Sequence, residues 1–500
     1  PLPRSSLRNS PRAAGPSAFA VCIGSSKTSA FKKKLYQCRP KGEFTIDTQR
    51  TKKRTRREPS DPASLERGVR QLLADKISGN LVGLWLLLPE HLRLGTWDLL
   101  CGWSGQAGSQ VEPRLALQLV HEAALCTTGV RQQRALSQRG FELANGLPFV
   151  ASDLAIHQLL AGHTVAEALR LQAALGKLRR ASGHYAGKLL AIDPHRIYSA
   201  SKRQMRRYRD NDRSRPYKVL QTFFALDPDT HQPVGFTIAS SARTATDASK
   251  ELLALAAEVL GPQPDDVLVL ADLEHFTAEL IDHIHAQTHF DLLVPMKNQR
   301  SLRRKLQAIP AEQFTRRWAG YATAKLPYQM ARSQSGPLYQ FVQRLGETPT
   351  DYRFSAFLST TDRDEVEALT RDFPQRWHVE EFFNAHQALG WDRAGTLNLN
   401  IRYAQLTMAL LAQAALYQFR RRLGEPMAHW DARHLAKAVL AGLDGDVRTA
   451  GDTIVVTYYN APHADRLREQ YEHLPQRLQS ENIDPRIPWL YNFKLDFRFH

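Results

Sequence analysis

Cysteine is scarce in this chain, and what there is falls in no ligand pattern. Cys22, Cys38, Cys101 and Cys126 are the four present, and no CxxC or Cys/His spacing joins them. That argues against a zinc ribbon or a disulfide framework and for a reducing, cytoplasmic compartment. Long apolar runs are lacking too. The longest block, GNLVGLWLLLP from Gly79 to Pro89, falls well short of the roughly 20 residues a membrane span needs. It reads as a buried helix, and no membrane partner is expected. Acidic residues are the minority charge: 50 Asp+Glu stand against 67 Lys+Arg, leaving +17. Such an excess points to a polyanionic partner, of which nucleic acid is the commonest. Hydrophobic residues at 43% and aromatics at 9% argue against global disorder. Five hundred residues leave room for two to four domains.

Residues 1–60 are basic and rich in Ser, Arg and Pro, without periodicity, and contain the charge run RTKKRTRR from Arg50 to Arg57. The chain opens on Pro rather than Met, so its first residue is not a natural start. This stretch is expected to be a disordered or non-native leader. From residue 61 the pattern turns helical. SLERGVRQLLADK places Leu65, Val69, Leu72 and Leu73 on one face, with Asp61 or Ser64 as N-cap. LALQLVHEAAL is a second helix. SDLAIHQLLAG and TVAEALRLQAALGKLRRASG follow, opened by Ser152 or Asp153 and by Thr164 and joined at Gly162-His163. This is a helix-turn-helix outline whose second helix ends in Lys177, Arg179 and Arg180. Residues 61–185 are therefore expected to form an all-α DNA-binding domain.

At Lys188 the period switches. KLLAIDP reads as a buried strand ended by Asp193 and Pro194. SKRQMRRYRDNDRSR is a dense basic loop containing Lys202, Arg203, Arg206, Arg207 and Arg209. KVLQTFFALDPDTHQPVGFTIASS reads as a hairpin turning at Asp227 to Thr230. A helix follows, then DDVLVLAD, a buried strand ending at Asp272, another helix, and the strand HFDLLVPMK. This order implies an α/β (α+β) core with a mixed sheet over residues 186–300 and 362–425. Residues 301–361 read as a β-rich insertion within it, and residues 426–500 as a C-terminal region whose ending, PRIPWLYNFKLDFRFH, carries no assignable pattern.

The helix FPQRWHVEEFFNAHQALG, from Phe373 to Gly390, sets Arg376 and Glu380 four apart on one face, with Glu381 about 100° further round. Trp377 reads as a core residue. Asp193 and Asp272 end apolar strands, and with Glu380 they make an all-oxygen donor set. Hard divalent cations take such ligands, whereas clustered His or Cys would suit zinc or iron. Two ions about 3.5–4 Å apart can activate a nucleophile and stabilise the leaving oxygen of a phosphodiester displacement.

The sequence LLAID, VLVLAD and RWHVEEFF, in that order with the β-rich block between, resembles the DDE transposases of the IS4 type. That family has an RNase H-like catalytic core and the helical signature Y-x2-R-x3-E-x6-K. Arg376 and Glu380 occupy its Arg and Glu positions. Phe373 stands where Tyr is usual and Gln387 where Lys is usual, so the roles of that Tyr and Lys do not carry over. The resemblance covers about residues 188–423. It implies a prokaryotic, nucleoid-associated DNA transposase that cleaves at transposon ends and transfers strands into target DNA. Asp193, Asp272 and Glu380 would be catalytic ligands of two Mg²⁺ (or Mn²⁺) ions. Arg376 would touch phosphate or steady Glu380, and Lys202, Arg203, Arg206, Arg207 and Arg209 would run along double-stranded DNA. A homodimer in a synaptic complex is implied. A standalone RNase H-like nuclease and a catalytically inactive DNA-binding derivative remain the alternative readings.

Overall fold

The computed structural model describes residues 61–500, apart from 80, 105–110, 128–138, 200–206, 210–214, 240–243, 263–266 and 393–395. The basic leader, and Lys202, Arg203 and Arg206 of the basic loop, lie outside the described residues.

The sheet at the centre is mixed. Its first five strands are β1 (Leu189–Tyr198), β2 (Tyr217–Asp227), β3 (Gln232–Ala239), β4 (Val267–Ala271) and β5 (Phe290–Pro295). In space they lie in the order β3-β2-β1-β4-β5. β1, β2 and β3 form an antiparallel meander, while β1, β4 and β5 run parallel through helical crossovers. This is the RNase H-like arrangement. The sheet continues past β5 into β9 (Arg353–Ser359), β8 (Leu338–Leu345), β7 (Tyr321–Tyr328) and β6 (Thr315–Trp318), all antiparallel. Residues 301–361 thus extend the same hydrogen-bonded surface, entered through the helix Arg300–Gln307.

Strand side chains alternate, and the two faces of the sheet bury different partners. Leu190, Ile192, Phe223, Ala225 and Val234 join a core with α4 (Ala245–Leu260) and α5 (Ala278–Gln287). Ala191, Phe224, Leu226, Phe236 and Ile238 point the other way. They pack with α6 (His378–His386) and α7 (Leu399–Leu423). α7 is buried along most of its 25 residues, polar Arg402, Thr407 and Gln413 included.

The same core takes in the N-terminal helices, including α1 (Pro62–Ala74), α2 (Val111–Ala124) and α3 (Val165–Ala181). Asp61 caps α1, and Thr164 forms a capping box with Glu167 at the start of α3. The apolar block after Gly79 is fully buried, as a 3-10 turn, Val82–Leu87, running into the helix Leu88–Arg93. The core also takes in a second sheet at the C-terminal end, built from β10 (Gly445–Ala450), β11 (Thr453–Tyr458) and β12 (Phe493–Phe499). The unassigned ending forms β12 and the short strand Arg486–Ile487 beside it. Ile77–Gly79 pairs with β10 and so joins the helical segment to this sheet.

α3 differs from the helix-turn-helix expectation in how its cations are used. Gly176 lies where an added Cβ would come within 2.5 Å of Val259, so α3 sits tight on α4. Arg179 is fully buried and donates to the Pro233 carbonyl at 2.7 Å and Gln232 Oε1 at 2.8 Å, fastening α3 to the β2–β3 hairpin. Lys177 pairs with Glu258 and Arg180 reaches the Pro262 carbonyl. The three cations read as a basic tail in sequence, yet they dock the helix onto the sheet domain. Arg179→Ala should lower unfolding stability by about 2–3 kcal/mol, because two buried acceptors lose a charged donor. Arg180→Ala should stay within about 0.5 kcal/mol. Urea unfolding of the two variants checks the contrast.

Candidate active site

Asp193 is not at a strand end. β1 runs on through Pro194 to Tyr198, and Asp193 lies inside it, 8% exposed. A proline is tolerated there for a specific reason. The Ser199 N–H bonds to Lys218 O, so alternation along the ladder turns the Pro194 nitrogen away from β2. On that other side, the pairing with β4 has already stopped at Ile192 and Ala271.

The next register position beyond Ile192↔Ala271 holds Asp193 on β1 and Asp272 just after β4. Residues at one register position of adjacent parallel strands share a face. Asp193 therefore lies on the face of Ala191, the one that α6 covers. Glu380 comes from the first turn of α6. The charges of Asp272 and Glu380 both act on Asp193. Burial, reinforced by those two carboxylates, pushes the Asp193 carboxyl up to about 7, although Arg376 and Arg196 pull it down.

Arg376 lies just before the α-helix that carries Glu380. Residues Phe373–Trp377 form a 3-10 turn with Pro374 at its start, and the α-helix begins only at His378. Arg376 Nη1 sits 3.2 Å from Asp193 Oδ2. Phe373, in place of the usual Tyr, packs edge-on against Phe357 and lies beneath the Arg376 guanidinium. At the other end α6 stops at His386, and Gln387 is exposed in a following 3-10 turn. Trp377 is a correction to the sequence reading: it is 56% exposed, beside Arg376. Exposed Tyr198 ends the strand of Asp193, and exposed Leu273 follows Asp272.

The neighbours of the carboxylates have other partners. Glu274 pairs with Arg196, whose guanidinium lies 4.2 Å from the Tyr208 ring centroid. His195 stacks on Phe383 at 4.3 Å and is held neutral by burial, its pKa lowered to about 4. Of the basic loop, Arg207 and Arg209 are described and exposed. Arg207 and Tyr208 are not loop but a short strand on β2, with Arg207 opposite Lys218 and Tyr208 opposite Tyr217.

The basic helix Arg300–Gln307 escaped the sequence reading. It carries exposed Arg300, Arg303, Arg304 and Lys305 and starts beyond the C-terminal end of β5. β4 and β5 are parallel, so that end of the sheet is also where Asp272 lies. The signal was present in the letters RSLRRKLQ, a charge run next to an assigned strand.

Residues 185–414 match the family model described as Transposase DDE domain. No curated protein matches the chain. Among solved structures, the cryo-EM structure of the piggyBac transposase synaptic complex with hairpin DNA is similar at 11% identity, over 73% of this chain and 82% of that one, with a TM-score of 0.40. Asp193, Asp272, Arg376 and Glu380 all fall inside the span that is similar to a transposase DDE domain.

Proposed function

We propose that the chain is a DNA transposase that cuts phosphodiester bonds at the ends of a mobile element and joins the freed 3′ ends to target DNA. The observation that carries this reading is the meeting of Asp193 and Asp272 at one register position beneath the helix that bears Glu380. The donor set is all carboxylate oxygen, and burial, together with the neighbouring carboxylates, raises the pKa of its most buried member. Both features fit a site completed by hard divalent cations. Asp193, Asp272 and Glu380 would hold two such ions, Mg²⁺ or Mn²⁺. When bound, these ions supply an activated water or 3′-hydroxyl and charge stabilisation at the leaving oxygen.

The chain's own residues prepare that site. Arg376 pairs with Asp193 and holds the turn that leads into α6, so it orients two of the three carboxylates. Phe383 of α6 stacks on His195 of β1 and sets the depth of the helix on the sheet. Exposed Trp377 offers a ring on which an unpaired base can stack. Arg207, Arg209 and the basic helix Arg300–Gln307 supply cations for the phosphate backbone. Two element ends must be held together, so the working form is proposed to be a dimer.

With Mg²⁺ and a duplex carrying the element's terminal repeats, Asp193→Asn, Asp272→Asn and Glu380→Gln should each slow cleavage and joining at least about a hundredfold. Cleavage without joining by the unmodified chain would mark a standalone nuclease. Repeat binding without either step would mark an inactive derivative. Arg207→Ala and Arg209→Ala should weaken binding of all duplexes alike. Each should lower the slope of log K against log salt by about 1, if each cation meets one phosphate.

Asp193 also predicts a pH effect on stability. Its pKa in the folded chain, about 7, lies above the ordinary 3.8. The metal-free fold therefore takes up this proton more readily than the unfolded chain, and the associated stability is lost as pH rises from about 4 through 7. At pH 8 the metal-free Asp193→Asn variant should melt at least about 2 °C above wild type, with the gap closing toward pH 4. Mg²⁺ should raise the melting temperature of wild type and not of the variant. Calorimetry at both pH values, with and without Mg²⁺, reads both effects.

A further inference from the structure

A second group of ligand-type side chains lies where the β2–β3 turn meets the first turn of α6. His231 comes from the turn, and His378 and Glu381 come from the helix. Each offers one ligand atom, and these atoms all lie within 4.8 Å of one another. No other His, Cys, Asp or Glu group of three or more among the described residues does so. His378 Nδ1 is 2.7 Å from Glu381 Oε2, His231 Nδ1 is 4.0 Å from the same oxygen, and the two imidazole centroids are 4.2 Å apart.

Spacing on the helix accounts for half of this arrangement. His378 and Glu381 are i,i+3 neighbours, and a helical hydrogen bond alone would bring them together. It does not account for His231. That residue holds a φ of 56°, in the left-handed region that a residue with a β-carbon enters at a cost. Asp227 shapes the turn by accepting from the Thr230 N–H at 3.0 Å. The result sets one imidazole beside another, an arrangement with little to gain by itself. The carboxylates of Asp227 and Asp229 add negative potential at His231, which favours a cation there.

We propose that His231, His378 and Glu381 bind one divalent transition-metal ion of the zinc class, which clamps the β2–β3 turn to the helix carrying Glu380. Two imidazoles and a carboxylate suit borderline metals, whereas the all-oxygen set around Asp193 suits hard ones. Zinc–ligand bonds of about 2.0–2.2 Å in a tetrahedron put donor atoms about 3.4 Å apart. The observed 2.7 and 4.0 Å bracket that spacing, so the ion enters with small side-chain shifts. The side chains of Glu381 and His231 are 52% and 46% exposed, which leaves the fourth position to water. Glu381 thereby has a use distinct from that of Glu380 beside it. Because Glu381 turns away from Asp193, the two sites take different ions.

Cobalt(II) titrated into the metal-free full chain tests this, since tetrahedral nitrogen–oxygen coordination gives a strong visible band that six oxygen ligands do not. The expected result is such a band, displaced by Zn²⁺ and retained in Asp193→Asn. His231→Asn removes the imidazole while keeping a residue that tolerates the left-handed turn. It should weaken Co²⁺ and Zn²⁺ binding at least about tenfold, the effect of losing even an outer partner of a ligand. Zn²⁺ should also raise the melting temperature of the wild-type chain and not that of His231→Asn. Absence of the band in the wild-type chain overturns the proposal. So does a band that persists unchanged in both His231→Asn and Glu381→Gln.

Discussion

A carboxylate on a strand packed between helical layers has to be paired, or else kept neutral, because its charge is poorly solvated there. Asp193 is in that position, and much of the candidate site is arranged around it. Arg376, from the 3-10 turn before α6, supplies the opposite charge. The 3-10 turn that makes this possible is shelved on Phe373 and Phe357. Its direction sets where α6 begins, and so where Glu380 stands. The ion pair is therefore as much a constraint on the backbone as on the carboxylate. It leaves Asp193 with a raised pKa, since one arginine does not offset burial and two neighbouring carboxylates.

The sheet that carries this site is braced well beyond the matched span. α7 lies along the face of the sheet that carries Ala191 and Phe224 and is shared with the N-terminal helices and the C-terminal sheet through one continuous core. Arg179 ties α3 to the hairpin whose turn presents His231. Segments far apart in the chain thus bear on the same few strands, and Ile77–Gly79 pairing with β10 brings the helical and C-terminal parts together directly. Among the described residues, no helix is long and apolar enough to cross a membrane. The apolar block after Gly79 serves this interior, as its length implied.

The two carboxylates adjacent in sequence, Glu380 and Glu381, meet different chemistry because a helix turns about 100° per residue. Glu380 adds its charge to the site of Asp193 and Asp272. Glu381 meets two imidazoles. The difference in ligand type between the two places, oxygen alone against nitrogen and oxygen, follows from which strand or turn lies beneath each side of α6.

Strands and helices of the central domain were legible from period and punctuation. LLAID, VLVLA and DLLVP are apolar runs that have to be buried on both faces, and strands cover all three, the first running on to Tyr198. Asp193 and Asp272 stood out in the sequence because each borders such a run, and Glu380 by its place in RWHVEEFF. What lies far apart in sequence and close in space was not legible. The pairing of Arg376 with Asp193 spans 183 residues, and a local i,i+4 rule pointed to Glu380 instead. Arg179 looked like surface charge until α3 was set against the hairpin, and Trp377 looked like core until the turn before α6 carried it outward. Sequence alone determined the elements and the residue types that could do chemistry, because both depend on neighbours within a few positions. The tertiary structure decided which charges meet, which are buried and which imidazoles share a partner, because burial and charge pairing depend on distances that the chain's order does not contain.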